Sequence, residues 1–222
     1  MVSIEAVIFD LDGVLVDSEQ VWDAEREVFT RESGGDWRPD AQRAMMGMSS
    51  VEWSRYMHDE LAVPADPELI STEVAGRLAD RYRERLPLFP GAAEAVERLA
   101  ARWPLAIASS SNRELIDLVL ECGGFGPLIK TTVSSEEVER GKPAPDVYLE
   151  AARRLEVEAT ACAAIEDSTN GLLSARAAGM RVIALPNRAF PPSREALAVA
   201  DVVAGSLGEL EPALVDPGLG SS

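Results

Sequence analysis

The sequence predicts an α/β fold: a Rossmann-like parallel sheet core with an inserted all-helical segment. Two observations predict it. Short apolar runs recur along the chain, each stopping at a polar group, and helix-like stretches separate them. Strands alternating with helices make βαβ units and a parallel sheet. One segment, 17–86, breaks the alternation and shows helical patterns only.

The elements follow in order. Ala6-Val7-Ile8-Phe9 is apolar, β-branched and aromatic, the pattern of a strand buried on both faces. It stops at Asp10-Leu11-Asp12-Gly13. Inside the insertion, helices are expected over 19–30, 41–46, 51–61 and 67–85. A further helix over 92–102 follows Pro90-Gly91 and carries Ala95, Val96, Leu99 and Ala100 at helical spacing. The strand Leu105-Ala106-Ile107-Ala108 stops at Ser109-Ser110-Ser111-Asn112. Asn112 is expected to cap a helix over 115–120, with Cys122-Gly123-Gly124 ending it. An amphipathic helix over 145–155 presents Val147, Tyr148, Ala151 and Ala152. Cys162-Ala163-Ala164-Ile165 is a strand that stops at Glu166-Asp167-Ser168. Ser168 or Thr169 caps the next helix, 171–178, and Gly179 ends it. Strands over 181–185 and, shorter, 201–203 complete the core. The expected domains are a core of 1–16 and 87–216, an insertion of 17–86 and a disordered tail of 217–222.

Composition excludes several classes. The chain has 222 residues, 46% of them hydrophobic, enough for a sizeable core. It carries 38 acidic and 21 basic residues, a formal charge of −17. Such a surface repels nucleic acid and anionic lipid. No apolar run is long enough to span a membrane, and the N-terminus lacks a basic, apolar secretory start. The expectation is a cytoplasmic protein, a monomer or weak dimer. Cys122 and Cys162 are too few for a disulfide framework. The single histidine, His58, lies on a polar stretch and reads as a surface residue. With no G-x-S-x-G, a Ser–His–Asp hydrolase is unsupported, as is a zinc site of His and Cys ligands.

Ligands of an open α/β sheet bind beyond the carboxyl ends of its strands. Three strands end there in reactive groups: Asp10 with Asp12, Ser109, and Glu166 with Asp167. Lys142 precedes a helix in Gly-Lys-Pro-Ala-Pro. Four carboxylates at one edge repel one another unless a cation neutralises them, and short oxygen ligands suit a hard ion such as Mg²⁺. Carboxylate, metal, lysine and hydroxyl together suit phosphoryl chemistry. A calcium loop fits poorly, because Gly13 comes too early after Asp10 and follows a strand. A phosphorylation-receiver domain shares the acceptor Asp, the hydroxyl and the lysine, but it has no helical insertion and no second acid two positions on.

The run Asp10-Leu11-Asp12-Gly13-Val14-Leu15-Val16-Asp17-Ser18, then Ser109, then Lys142 in Gly-Lys-Pro-Ala-Pro-Asp, then Glu166-Asp167-Ser168, resembles the four motifs of the haloacid-dehalogenase-like superfamily. The resemblance runs from about Ile4 to Leu210, and the insertion resembles the mobile cap of the β-phosphoglucomutase-like branch. It implies Asp10 as nucleophile forming an aspartyl-phosphate, and Asp12 as general acid and then base. It implies Mg²⁺ on Asp10, the Asp12 carbonyl and Asp167, with Glu166 as a further ligand or supporting group. Ser109 and amides around Leu11, Asp12 and Ser110 would hold the phosphoryl oxygens, with Lys142 stabilising charge. The acid at Asp12 favours phosphoryl transfer over dehalogenation, since halide leaves without a proton. The implied substrate is a small phosphorylated metabolite such as a sugar or polyol phosphate. The alternative is a β-phosphoglucomutase-type phosphomutase. That family's cap histidine and cap-loop arginine align with Trp22 and Ser50 here, which weakens the mutase reading. Cap residues expected to touch substrate are Glu19, Trp22, Arg43, Gly47 and Ser50; Ser111 and Asn112 are expected to do so from the core.

Overall fold

A computed structural model of the chain describes residues 3–187 and 190–220. Six strands among them form one parallel sheet: β1 (Ala6–Phe9), β2 (Leu105–Ser109), β3 (Ile129–Ser134), β4 (Cys162–Glu166), β5 (Arg181–Ala184) and β6 (Val202–Val203). Their order is β3-β2-β1-β4-β5-β6, every neighbour parallel. The chain winds outward from β1 on one side, then crosses to β4 and winds outward on the other. That leaves a switch point between β1 and β4, where a crevice opens beyond the strand ends.

Side chains alternate across the sheet. Val7, Phe9, Leu105, Ile107 and Ile165 enter one apolar layer; Ala6, Ile8, Ala106, Ala108 and Val182 enter the other. Small alanines on the second face let helices lie close. Four helices lie between β1 and β2 inside the insertion: α1 (Glu19–Glu32), α2 (Ala41–Met45), α3 (Ser50–Asp59) and α4 (Pro67–Glu84). The rest flank the sheet: α5 (Ala92–Ala100), α6 (Arg113–Gly123), α7 (Asp146–Leu155), α8 (Thr169–Ala177), α9 (Arg194–Leu197) and α10 (Pro212–Val215). The first apolar layer takes in Val96 and Leu99 of α5 and Leu115 and Ile116 of α6. The second takes in Val147 and Tyr148 of α7 and Leu172 of α8.

The insertion holds no strand. α4 starts with Asp66 before Pro67, whose fixed φ suits a first helical turn. At α3, Glu52 Oε2 accepts from the Ser49 amide at 2.8 Å, the return bond of a capping box. Trp22, Phe29, Met45, Trp53, Met57, Ile70 and Leu78 give the four helices a common interior, continuous with the first layer of the sheet.

Several local expectations change. β3 was not expected: Lys130, Thr131 and Thr132 dilute its apolar signal, and as an edge strand it is only partly buried. Asn112 occupies the N-cap position of α6 without capping it. The Arg113 amide bonds Glu136 Oε2 at 3.0 Å instead. Ser168, rather than Thr169, caps α8, accepting from the Gly171 amide at 3.0 Å. The tail, expected to be disordered, forms a 3-10 turn over Pro217–Gly220. The Asp216 carboxylate holds it by accepting from the Gly218 amide at 2.9 Å. Ser221 and Ser222 lie outside the described residues. His58 is exposed, and both cysteines are free. No helix among the described residues is long and apolar enough to cross a membrane.

Candidate active site

β1 delivers Asp10. Its amide donates to Ile165 O at 2.9 Å, carrying the β1–β4 ladder one residue past the strand. The chain then turns back, with the Gly13 amide donating to Val16 O at 2.8 Å. Gly13 has φ +82°, and a Cβ there would lie 2.1 Å from Asp167 Oδ2. Only glycine satisfies both conditions. Gly13→Ala is expected to push Asp167 aside and weaken divalent-ion binding by about ten- to hundred-fold, the scale for disturbing a metal site's support. Calorimetric titration with Mg²⁺ checks this.

Lys142 enters the crevice from the loop before α7 and is 4% exposed. Its Nζ donates to Asp10 Oδ1 at 2.8 Å, Glu166 Oε1 at 2.6 Å and Ala108 O at 3.0 Å. Tyr148 Oη also donates to Glu166 Oε1, at 3.0 Å. Glu166 Oε2 accepts from the Asp167 amide at 2.9 Å, the Ser168 amide at 3.0 Å and Ser168 Oγ at 3.1 Å. Glu166 is fully buried, and the bonds on its two oxygens satisfy it. It fits the holding of Lys142 and the Asp167 loop better than direct ligation.

Asp10, Glu166 and Asp167 bring oxygens within 4.8 Å of one another. Burial pushes the Asp10 pKa up to about 8, against the pull of Lys142. Burial, then Glu166 and Asp10, push Asp167 well above the carboxylate range. Burial disfavours the Lys142 charge, yet Asp10 and Glu166 hold its pKa above the ordinary lysine value. Three buried carboxyl groups thus face one ammonium, a surplus that a divalent ion would cancel. Asp167 Oδ1 is buried with no partner among the described residues, and so is Ser110 Oγ on the loop after β2. Orphaned buried oxygens beside a carboxylate cluster fit a site built for a hard cation and an anion.

Asp12 faces elsewhere. Its Oδ1 accepts from Ser18 Oγ at 2.5 Å and Trp22 Nε1 at 3.3 Å. Its Oδ2 accepts from Ser111 Oγ at 2.6 Å and Ser109 Oγ at 3.5 Å. The side chain stands outside the carboxylate cluster, which leaves its backbone carbonyl as the atom it could offer a metal.

A cavity of about 320 Å³ lies between the strand ends and the insertion. Asp10, Asp12, Ser109, Ser110, Lys142 and Asp167 line it from the core, with Ser111 beside them. Glu19, Trp22, Arg43 and Gly47 line it from the insertion. Burial, then Asp12, raises the Glu19 pKa to about 7. Leu11 buries its side chain in the apolar core, so only its backbone can reach a ligand. Ser50 and Asn112 do not line the cavity. Ser50 Oγ donates to Glu136 Oε1 at 2.7 Å and Asn112 Nδ2 to the same oxygen at 2.9 Å. Both residues join the insertion to the core beside the cavity. Sequence reasoning missed Arg26, Thr169, Asn170 and the 190–193 loop, which also line it. Arg26 lies one helical turn beyond Trp22, a spacing that puts it on the same helix face without showing its head held inside.

The model of the haloacid dehalogenase-like hydrolases matches residues 4–179. The chain belongs to the haloacid dehalogenase-like hydrolase family. Among relatives of this hydrolase is hexitol phosphatase B of Escherichia coli (strain K12), 34% identical over 92% of this chain and 93% of that protein. The bifunctional riboflavin kinase/FMN phosphatase of Arabidopsis thaliana is 30% identical over 90% of this chain, which spans only 53% of it. CbbY from Rhodobacter sphaeroides, solved in complex with phosphate, superposes with a TM-score of 0.84 at 26% identity, covering 96% of this hydrolase and 99% of CbbY.

Proposed function

We propose that this hydrolase is a Mg²⁺-dependent phosphatase of a small phosphorylated metabolite, a sugar or polyol phosphate, working through an aspartyl-phosphate on Asp10. One observation carries the reading: two carboxylates two residues apart occupy opposite environments. Asp10 is buried against Lys142, while Asp12 lines the cavity among hydroxyl and indole donors. Pairs of acids with environments set apart in this way mark separate chemical roles. The named hexitol phosphatase relative supports the substrate class.

In this reading Ser109, Ser110 and nearby amides bind the phosphoryl oxygens. An Asp10 oxygen attacks phosphorus, and the ester oxygen leaves with the proton of Asp12. Asp12 then takes a proton from the water that attacks the phosphoenzyme, which releases phosphate and restores Asp10. Asp10, Asp167 and the Asp12 carbonyl would hold Mg²⁺, which would supply positive charge to the phosphoryl oxygens. Residues 17–86 act as the cap that shuts water out.

Asp12→Asn is expected to slow turnover by about 10²- to 10⁴-fold, the scale of general acid–base catalysis. The test is phosphate release from hexitol, hexose and glycolate phosphates, with β-glucose 1-phosphate isomerisation as the control. Phosphate release with no isomerisation supports the phosphatase. Isomerisation without release would make the chain a mutase. Trp22 bonded to Asp12, and Ser50 turned onto Glu136, both favour the first outcome.

Stability offers a readout independent of turnover. The Asp10 pKa is raised from 3.8 to about 8, so in that window the folded state keeps a proton that the unfolded chain has lost. Metal-free stability is therefore expected to fall as pH rises through the window. Mg²⁺ is expected to raise the melting temperature most near the top of it. Thermal melts at stepped pH, with EDTA or Mg²⁺, check both.

A further inference from the structure

Arg26 is only 7% exposed, yet it donates no hydrogen bond to any described residue. Its Nε is buried without a partner. The guanidinium lies 4.5 Å from the Trp22 ring centroid and 4.8 Å from that of Trp53. The two indoles meet edge to face at 5.7 Å. Stacking of this kind fixes a guanidinium plane without using its donors. Glu19 stands two turns earlier on α1, on the same face, and its carboxylate accepts no hydrogen bond from a described residue either. Both side chains line the cavity that holds Asp10 and Asp12. A buried Nε left unsatisfied is costly unless a ligand completes it.

Two ligand chemistries could complete it: a second anion, or a row of hydroxyls. The surrounding charge decides. Arg26 shares its neighbourhood with Glu19, Asp12 and Asp23. A second phosphate or carboxylate would meet three acidic side chains for one stacked guanidinium. Hydroxyls suit the pair, since Glu19 accepts and Arg26 donates as a fork, with Trp22 lining the same cavity. We propose that Arg26, with Glu19, forms the specificity subsite for an uncharged, hydroxyl-bearing leaving group, and selects a polyol or sugar monophosphate over bisphosphates and acid phosphates. The proposal rests on the phosphatase reading and names its substrate end.

The test compares the full chain with Arg26→Gln, Arg26→Lys and Arg26→Met. Arg26→Met keeps an apolar stem between the indoles while removing every donor. With hexitol 6-phosphate, all three variants are expected to raise KM at least tenfold and to change kcat less than threefold. Inhibition by inorganic phosphate, which reads the core end of the cavity, stays unchanged. The unmodified chain favours hexitol 6-phosphate over hexose bisphosphate and phosphoglycolate by at least tenfold in kcat/KM. An unchanged KM in Arg26→Met overturns the proposal and leaves Arg26 a packing residue. A preference for bisphosphate or phosphoglycolate that Arg26→Gln abolishes also overturns it, making the site a second-anion pocket. If no ester is hydrolysed, the phosphatase reading fails separately. Arg26 is then judged by calorimetric binding of hexitol 6-phosphate to Asp10→Asn with and without Arg26→Gln. A tenfold weaker Kd supports the subsite, and an equal Kd overturns it.

Discussion

Asp10→Asn is expected to abolish turnover, by at least ~10⁴-fold, while the protein folds and melts cooperatively. An amide has the shape of the carboxylate but cannot attack phosphorus. The substitution also removes one negative charge from a buried cluster of three, so stability is expected to hold or rise at pH 8, where the Asp10 charge is most costly. Phosphate release and thermal melting read the two effects separately. Substantial residual turnover would take the nucleophile's role from Asp10. Loss of the folded state would show that its charge is structural.

Lys142→Met is expected to damage both activity and fold. The ammonium is buried and bonds Asp10 and Glu166. Removing one partner from a buried ion pair costs about 3–5 kcal/mol, because the other charge is left uncompensated. Here two are left toward pH 8, Glu166 and the ionised fraction of Asp10. The loss should be largest at pH 8 and smaller near pH 5, where the folded Asp10 carboxyl already carries a proton. Urea unfolding at the two pH values measures the difference. An equal loss at both would mean that Lys142 stabilises through packing against Tyr148, whose ring centroid lies 5.0 Å from Nζ. Turnover should fall with the fold-competent fraction held constant, since Asp10 loses the cation that favours its ionised form.

The core of the fold was legible because β1, β2 and β4 are buried end to end, so their sequences are unbroken apolar runs. Each run stops where the sheet stops, and that marked Asp10, Ser109 and Glu166. β3 was not legible, because an edge strand tolerates Lys130 and threonines. At the site, nearness in sequence misled at Ser50 and Asn112. Their common partner, Glu136, lies 86 and 24 residues away, and no local pattern announces a bond of that kind. Arg26 escaped because an arginine on an amphipathic helix ordinarily extends its head into water. Only the two indoles, brought together from α1 and α3, show that this one is held inside.

The three bonds of Lys142 Nζ have one more consequence. An ammonium has three protons, and Asp10, Glu166 and Ala108 accept all three. The ion is thus solvated by protein in place of water. In the proposed phosphoryl transfer its acceptors are in place before substrate arrives, so no solvent dipoles need to swing round it. For a direct bond to an incoming phosphate, Lys142 would first have to release one of these acceptors. In the proposed phosphatase its influence would therefore be exerted across space, as a standing field.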